Sequence, residues 1–254
     1  MNGWERHGIE RVSSSGIKAA RENPVKYLAR YLFNFNERMP APVDRGTAIE
    51  KGVDAALYNN VSMDEAINTA HTVYDALTKW KLSELTVKER DRIAASVKLA
   101  VDSLKQFGKP TRPPKDQHQH AIRIMCKTAL WSLPIIGYLD YKFDEAKTVI
   151  DLKTVGRIPV KMPADHQQQR AIYTAASKGY DVKFLYVSGA STVLLEDGDV
   201  PAIMADIKTF LIRFERFLNV GDAEFLASIT PFDHTHRDFQ SAQWQQLLRD
   251  KFKL

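Results

Sequence analysis

The feature that most constrains the fold of this chain is an abrupt change of residue pattern near position 120. Residues 121–130, 133–143 and 148–155 are rich in isoleucine, leucine, valine and aromatic side chains, and they predict three consecutive β-strands. Before this stretch, apolar residues recur at helical spacing instead. A chain that changes period in this way packs helices against a sheet, so a purely helical bundle is excluded.

The first half of the chain is predicted to be helical. Apolar positions follow a helical period over residues 12–33 and 44–58. Residues 108–120 contain three prolines and predict an irregular connector to the strands. Two further helices, running to about residues 80 and 107, are expected to begin at capping-box sequences, Ser62-x-x-Glu65 and Thr86-x-x-Glu89.

After the strands, a helix is expected from about residue 165 to Gly179, and strands over residues 182–188 and 191–195 follow it. A last clear helix covers residues 203–218. A helix that crosses over between strands is typical of the α/β class. We therefore predict an α/β sandwich in a single domain, residues 1–254, with a helical portion at about 12–107, a core at about 120–190 and a C-terminal helical region at about 199–254.

Composition excludes several classes of protein. The 254 residues are 44% hydrophobic and 26% charged, and this balance is globular rather than disordered. The single cysteine, Cys126, can form neither an internal disulfide nor a thiolate cluster, so no iron–sulfur cluster is expected. No apolar run approaches the ~18 residues that span a bilayer, and the first residues are polar and charged, so we expect a cytoplasmic protein without a membrane partner.

The charge balance favours an anionic partner. Lysine and arginine number 36 against 31 aspartates and glutamates, a formal net charge of +5. A basic strip between residues 105 and 127 could follow a phosphate backbone, and an ordinary solvated face is an equally good interpretation. Its members are Lys105, Lys109, Arg112, Lys115, Arg123 and Lys127.

Two aspartates and a lysine are predicted to converge on one hairpin. Asp140 and Asp151 have equal offsets from the centre of a turn, so in a symmetric hairpin they face each other with β-carbons ~5 Å apart. The two-residue period of a strand puts Lys153 beside Asp151 and sends Leu152 into the core. Carboxylate oxygens so close together suit Mg²⁺, which also keeps water and phosphate oxygens in its shell. The arrangement indicates metal-assisted hydrolysis of a phosphodiester.

A solvent-facing hairpin with ordinary surface charges fits the same spacing, because short D-x-K strings are common. Further motifs favour chemistry. Asp140 followed by Asp151-x-Lys153 resembles the active-site signature of the PD-(D/E)XK nuclease superfamily, most closely its RecB-like and phage exonuclease-like branch. That branch also has a G-x-x-x-His/Glu motif upstream and a Q-x-x-x-Y motif downstream, and the counterparts here, in the same order, are Gly46–Glu50 and Gln169–Tyr173.

The similarity extends from about residue 12 to 190. It implies a restriction-endonuclease-like core, in which helices flank a central mixed sheet and the N-terminal half is helical. It also implies that Asp140 and Asp151 bind a metal ion, together with the main-chain carbonyl of Leu152. Glu50 stands where many RecB-like members have histidine. A carboxylate can also bind a hard cation, and an exposed helix acid near Lys51 is the alternative.

The resemblance assigns the other matched residues to catalysis with Asp140 and Asp151. Lys153 would orient or help to deprotonate the attacking water and would stabilise charge on the phosphate. Gln169 would hold the active-site groups or the substrate, and Tyr173 would pack beside them.

The implied activity is that of a Mg²⁺-dependent deoxyribonuclease, with Mn²⁺ as a substitute, and an exonuclease rather than an endonuclease. Recombination, repair and phage DNA metabolism are the expected settings. No Walker-type phosphate loop occurs, so no ATP site is expected, and a helicase, annealing or recombination protein is a candidate partner. A structure-specific endonuclease, a catalytically inactive nucleic-acid-binding module of the same fold and a homo-oligomer stay open as alternatives.

Overall fold

The computed structural model describes residues 2–37, 39–81, 83–114, 116–127 and 132–253, which form an α/β structure with two mixed sheets. The strands are β1 (Val12–Ser13), β2 (His120–Lys127), β3 (Ser132–Leu139), β4 (Tyr141–Phe143), β5 (Thr148–Thr154), β6 (Asp181–Val187) and β7 (Thr192–Leu195). The α-helices are α1 (Gly3–Arg6), α2 (Ser14–Glu22), α3 (Pro24–Leu32), α4 (Ala41–Tyr58), α5 (Met63–Thr78), α6 (Glu84–Asp91), α7 (Ile93–Lys105), α8 (Ala164–Ala176), α9 (Val200–Leu218), α10 (Ala223–Ile229) and α11 (Ala242–Phe252).

The chain divides into two compact units. The first comprises Met1–Glu37, Arg123–Gly137 and Pro201–Leu254, and the second comprises Arg38–Ile122 and Tyr138–Val200. All the residues that the sequence assigns to the candidate metal centre fall within the second unit.

A four-stranded mixed sheet in the order β4-β5-β6-β7 is the framework of the second unit. β5 pairs antiparallel with β4 and parallel with β6, and β6 pairs antiparallel with β7. Parallel neighbours need a crossover connection, and α8 supplies it between β5 and β6 as the sequence predicts. β5 is therefore an inner strand with partners on both sides.

Helices α4, α5 and α7 bury their apolar faces together with the sheet. Apolar residues recur along each helix at the spacing that forms one stripe, so each stripe faces the same interior. Leu152 of β5 packs against this cluster, which is the orientation that the strand period predicts. The fully buried members include Ile49 and Val53 of α4, Tyr74 of α5, Val97 and Leu104 of α7, and Tyr141, Phe143 and Ile150 of the strands.

The start of α6 differs from the prediction. The capping box at Ser62 is present, but the one predicted at Thr86 is wrong, because Ser83 is the N-cap and its hydroxyl accepts a hydrogen bond from Thr86 N at 3.2 Å. Glu89 is buried and forms ion pairs with Arg45 of α4 and with Arg92. Its carboxylate is thus committed to an interaction that joins two helices.

The first unit has its own sheet and aromatic core. β1 pairs in parallel with β3 in a three-stranded sheet of order β1-β3-β2. Phe214 of α9 lies against Trp4 and, edge-on at 4.9 Å between ring centroids, against Tyr27 of α3. An ion pair between Arg21 and Asp206, at 2.6 Å, also joins α2 to α9.

Other predictions hold with shifted boundaries. Residues 12–33 form β1, α2 and α3, and α3 begins at Pro24, whose ring suits the first position of a helix. Helix α8 ends earlier than predicted, at Ala176 with Ser177 as its C-cap, and Gly179 lies in the turn that follows, with a φ of +82°. Residues 128–130 of the first predicted strand lie outside the described residues. Within the described ranges, no helix combines the length and the apolar character required to cross a membrane.

Gly52 is a sensitive point in the packing of α4. A β-carbon at this position would lie 2.8 Å from the Ala66 carbonyl oxygen and 2.9 Å from Ala70 Cβ, both on α5. Overpacking of this kind usually costs about 1–3 kcal/mol, and alanine gains ~1 kcal/mol over glycine in helix propensity. Gly52→Ala should therefore lower the free energy of unfolding by the difference between these two contributions. Urea unfolding measures the change.

Gly156→Ala is the matched control, because the nearest atom to a β-carbon there is Arg92 Nη1 at an ordinary 3.8 Å. Equal unfolding midpoints for the two variants would contradict a close approach of α4 and α5.

Candidate functional site

The β4–β5 hairpin brings the two predicted aspartates together. Tyr141 pairs with Ile150, so the next step of the register sets Asp140 opposite Asp151, as the symmetric hairpin predicts. Asp140 Oδ2 accepts a hydrogen bond from the Leu152 N–H at 2.8 Å. The N–H and C=O of one strand residue leave the strand on the same side. The Leu152 carbonyl is therefore directed to the side on which Asp140 lies.

Lys153 lies beside the more deeply buried aspartate. Asp151 is only 2% exposed, which excludes the interpretation of this residue as a surface charge, and Lys153 Nζ lies 2.7 Å from its Oδ2. Among the described residues, Lys153 is the partner of this oxygen. A carboxylate oxygen has further lone pairs, which are available to a bound cation.

Helix α8 holds Asp151 from its other oxygen. Gln169 Nε2 donates to Asp151 Oδ1 at 3.0 Å and to the Tyr173 hydroxyl at 2.7 Å. The Tyr173 hydroxyl in turn donates to the Tyr138 carbonyl at 2.8 Å, at the end of β3. Residues four apart share one helix face, and this chain of hydrogen bonds fixes the position of that face against the hairpin.

Glu50 reaches the site from α4. Gly46, one turn earlier, permits this approach, since a β-carbon there would lie 3.1 Å from Thr154 Oγ1 at the end of β5. The side-chain amide of Gln119 donates to Glu50 Oε1 at 3.1 Å and to Asp140 Oδ1 at 2.7 Å. Glu50 is half-buried and directed toward the hairpin, so the exposed helix acid considered from the sequence is not what the structure contains.

The electrostatic environment of the site favours protonation of its acids or the presence of a cation beside them. Burial raises the pKa of Asp140 well above its usual value, and the charges of Asp151 and Glu50 raise it further. The pKa of Glu50 is also raised, by burial first and then by the neighbouring Asp54. Burial acts to lower the pKa of Lys153, but the charges of Asp151 and Asp140 outweigh it and the pKa is raised. Lys153 is therefore an ammonium group in the metal-free site.

The donor set fits a hard divalent cation. It consists of carboxylate oxygens of Glu50, Asp140 and Asp151 with the main-chain carbonyl of Leu152 beside them, and Mg²⁺ and Mn²⁺ prefer such oxygen ligands. Within the part of the chain that the structure describes, no group of three or more His, Cys, Asp or Glu side chains is already arranged to hold a metal ion. All three carboxylates could therefore bind one cation only after moving toward a common point.

The described members of the predicted basic strip have different surroundings. Arg112 donates to the Tyr58 carbonyl and the Asn59 side chain, and its guanidinium lies over the Tyr58 ring. Lys105 and Lys109 are exposed. Arg123 belongs to the first unit, while Lys115 and the side chain of Lys127 lie outside what the structure describes.

Sequence reasoning missed two residues of the site, Gln119 and Asp54. Asp54 is one helical turn after Glu50, accepts a hydrogen bond from the Tyr141 hydroxyl at 3.2 Å, and has a pKa raised by burial. Its i, i+4 spacing from Glu50 was a usable signal. Gln119 has no such signal, because it lies at the end of a polar connector and meets its partners only in the folded chain.

Similarity to known proteins is limited to solved structures. No protein-family model matches the chain, and no curated protein matches it. The chain is similar to a protein whose structure is titled "Crystal structure of SSO0001", at 14% sequence identity and a TM-score of 0.33, over 78% of this chain and 84% of that chain. A likeness at this level carries no argument about function.

The raised pKa of Asp140 makes stability depend on pH. An unfolded aspartate titrates near ~3.9, and in the folded protein Asp140 holds its proton to a higher pH because of burial and the charges of Asp151 and Glu50. The wild-type protein therefore loses stability at Asp140 as the pH rises from the pKa of this group in the unfolded state through its pKa in the folded state. Asp140→Asn, compared with the wild type in EDTA, should gain relative Tm as pH rises from about 4 to 8.

Asp144→Asn is a control of opposite sign. Hydrogen bonds from Lys142, Thr111 and Tyr180 lower the pKa of Asp144, so this carboxylate contributes stability above the unfolded pKa and loses it as pH falls. The asparagine variant should lose Tm relative to the wild type as pH rises. Circular dichroism melts give both series, and two differences with the same pH dependence would contradict the assigned environments.

Proposed function

We propose that this chain is a metal-dependent deoxyribonuclease of the PD-(D/E)XK type that hydrolyses phosphodiester bonds. One observation carries the proposal: Asp140, Asp151 and Lys153 meet on a single hairpin, and Glu50 and Gln169 converge on them from α4 and α8. Acids buried beside one another cost stability unless a function or a counter-charge offsets the cost. Binding of nucleic acid alone requires positive charge and has no use for these carboxylates.

Each residue has a task in the proposed reaction. Glu50, Asp140, Asp151 and the Leu152 carbonyl would hold the divalent cation, which when bound supplies Lewis-acid chemistry to a phosphate group. Lys153, a positively charged donor, orients a water molecule and stabilises negative charge that develops on the phosphate.

Gln169 and Tyr173 act on position rather than on charge. The Gln169 amide restrains Asp151 Oδ1 and leaves Oδ2 directed to the site. The Tyr173 hydroxyl ties the same helix face to the Tyr138 carbonyl. Together they keep Asp151 and Lys153 in place although the neighbouring carboxylates repel one another.

The topology of the second unit supports a restriction-endonuclease-like core. A mixed sheet carries the acidic pair and the lysine on its inner strand β5, the parallel crossover runs through α8, and α4, α5 and α7 pack with the sheet. An exonuclease acting with a helicase, annealing or recombination protein is the expectation from the sequence resemblance, and linear and circular substrates separate it from an endonuclease.

A catalytically inactive DNA-binding module is the second candidate. One observation favours it: the Gln119 amide is hydrogen-bonded to two of the proposed metal ligands. In that case the amide would be a permanent substitute for a cation, and the chain would bind DNA equally in Mg²⁺ and in EDTA without cutting it.

Cleavage of end-labelled linear DNA and of closed circular DNA, each in Mg²⁺, Mn²⁺ or EDTA, tests the proposal. Asp151→Ala should abolish cleavage, because it removes a ligand and the partner of Lys153. Lys153→Ala should slow cleavage by about 100-fold or more, the usual scale for a group that assists proton transfer. Loss of linear DNA alone identifies an exonuclease, and cutting of circles identifies an endonuclease.

Lys142→Ala is the matched control on the same hairpin. Lys142 pairs with Asp144 at 2.8 Å and lies over the Tyr180 ring, so its ammonium group has partners other than the site acids. This variant should retain the wild-type rate. Metal-dependent cleavage that survives Asp151→Ala would refute the proposed site, and DNA binding by the same variant, measured by anisotropy, shows that it is folded.

A further inference from the structure

The side-chain amide of Gln119 lies between two of the three site carboxylates. Its Nε2 donates to Asp140 Oδ1 at 2.7 Å and to Glu50 Oε1 at 3.1 Å. Gln119 belongs to none of the motifs that the sequence shares with the PD-(D/E)XK nucleases, and it has no role in the proposed cleavage reaction. Its position nevertheless coincides with the region that a cation shared by Glu50 and Asp140 would occupy.

The chemistry of the amide decides which of its ends faces the acids. When both neighbours are ionised carboxylates, an amide oxygen placed against them would meet only acceptors. The NH₂ end, with two hydrogens for two oxygens, is the end that fits. Hydrogen bonds to ionised acceptors are stronger than neutral ones. The amide thus supplies to Glu50 and Asp140 the partial positive charge that Lys153 supplies to Asp151.

The fold fixes the place of this amide. Thr111, near the start of the connector, donates from its N–H to the Lys142 carbonyl at 2.7 Å and from its hydroxyl to Asp144 Oδ2 at 2.6 Å. His120 Nε2 donates to the Thr111 carbonyl at 2.9 Å, since a carbonyl can only accept. The connector is therefore tied to the hairpin at Thr111, and the residue that follows Gln119 is tied back to Thr111.

We infer that Gln119 is a positioning residue that occupies the place of the cation between Glu50 and Asp140 and competes with a divalent metal ion for these carboxylates. The inference rests on the proposed metal-dependent function and adds control of metal loading to it. In the metal-free protein the amide holds two like charges together. Metal binding breaks both of its hydrogen bonds, so Gln119 weakens the affinity for metal and makes loading depend on metal concentration.

Isothermal titration with Mn²⁺, in the absence of DNA, measures this competition directly. Gln119→Ala should bind Mn²⁺ about tenfold more tightly than the wild type, because two charge-assisted hydrogen bonds no longer have to be broken. In EDTA the same variant should unfold at a lower temperature, since nothing offsets the repulsion between Glu50 and Asp140. Saturating Mn²⁺ should then raise its Tm by more than it raises the Tm of the wild type.

Gln119→Lys extends the test in the opposite direction. An ammonium group between the two carboxylates is a permanent cation, so this variant should lose Mn²⁺ binding and keep or exceed the wild-type Tm in EDTA. A residue needed only for folding would not give opposite effects in the two variants. Gln117→Ala is the control on the same connector, because its side chain only accepts a hydrogen bond from Ala121 N at 3.4 Å, and it should bind Mn²⁺ like the wild type.

The outcomes separate this inference from the proposed function. Wild-type binding of Mn²⁺ with equal or weaker binding by Gln119→Ala overturns the competition and leaves the metal centre in place. Binding by Gln119→Ala alone supports the competition in its strongest form. Absence of Mn²⁺ binding in the wild type, Gln119→Ala and Gln117→Ala together overturns both the inference and the metal-dependent function.

Discussion

Repulsion among three neighbouring carboxylates is the constraint on which the site depends. Burial disfavours the charges of Glu50 and Asp140, and the neighbouring charge of Asp151 raises the cost of ionising both. The chain offsets this repulsion with three different donors: the Lys153 ammonium, the Leu152 backbone N–H and the Gln119 amide. Two of the three lie on β5, so the strand that presents an acid also presents its compensation.

The rest of the second unit keeps the three carboxylates in place despite their mutual repulsion. An inner strand with hydrogen-bonded neighbours on both sides cannot move away from the site at low cost. Helix α4 is anchored from behind by close packing at Gly52 and by the buried Arg45–Glu89 ion pair. Rigid elements on each side therefore hold the acids near one another despite their repulsion, and functional sites in general require such support.

The sequence predicted the parts of this site that depend on local periodicity. The facing of Asp140 and Asp151 followed from the centre of one turn, and the side of Lys153 followed from the strand period. Contacts between distant segments gave no such pattern. Gln119 meets Glu50 across 69 positions, and Arg45, the partner of Glu89, is 44 positions away, so local spacing alone predicts a capping box at Glu89. Local periodicity does not give the roles of these residues either. Those roles rest on the family resemblance and on the chemistry of the side chains.

The register of the β4–β5 hairpin also limits how this protein can vary. Ten residues separate Asp140 from Asp151, and Tyr141 and Ile150 form the pair next to them. A one-residue shift of a strand turns all its side chains to the opposite face. A single insertion or deletion in β4 or β5 would therefore place one acid in the apolar cluster occupied by Tyr141 and Ile150. Within this hairpin, insertions and deletions are tolerable only in the 144–147 turn, where they leave the pairing of both strands intact.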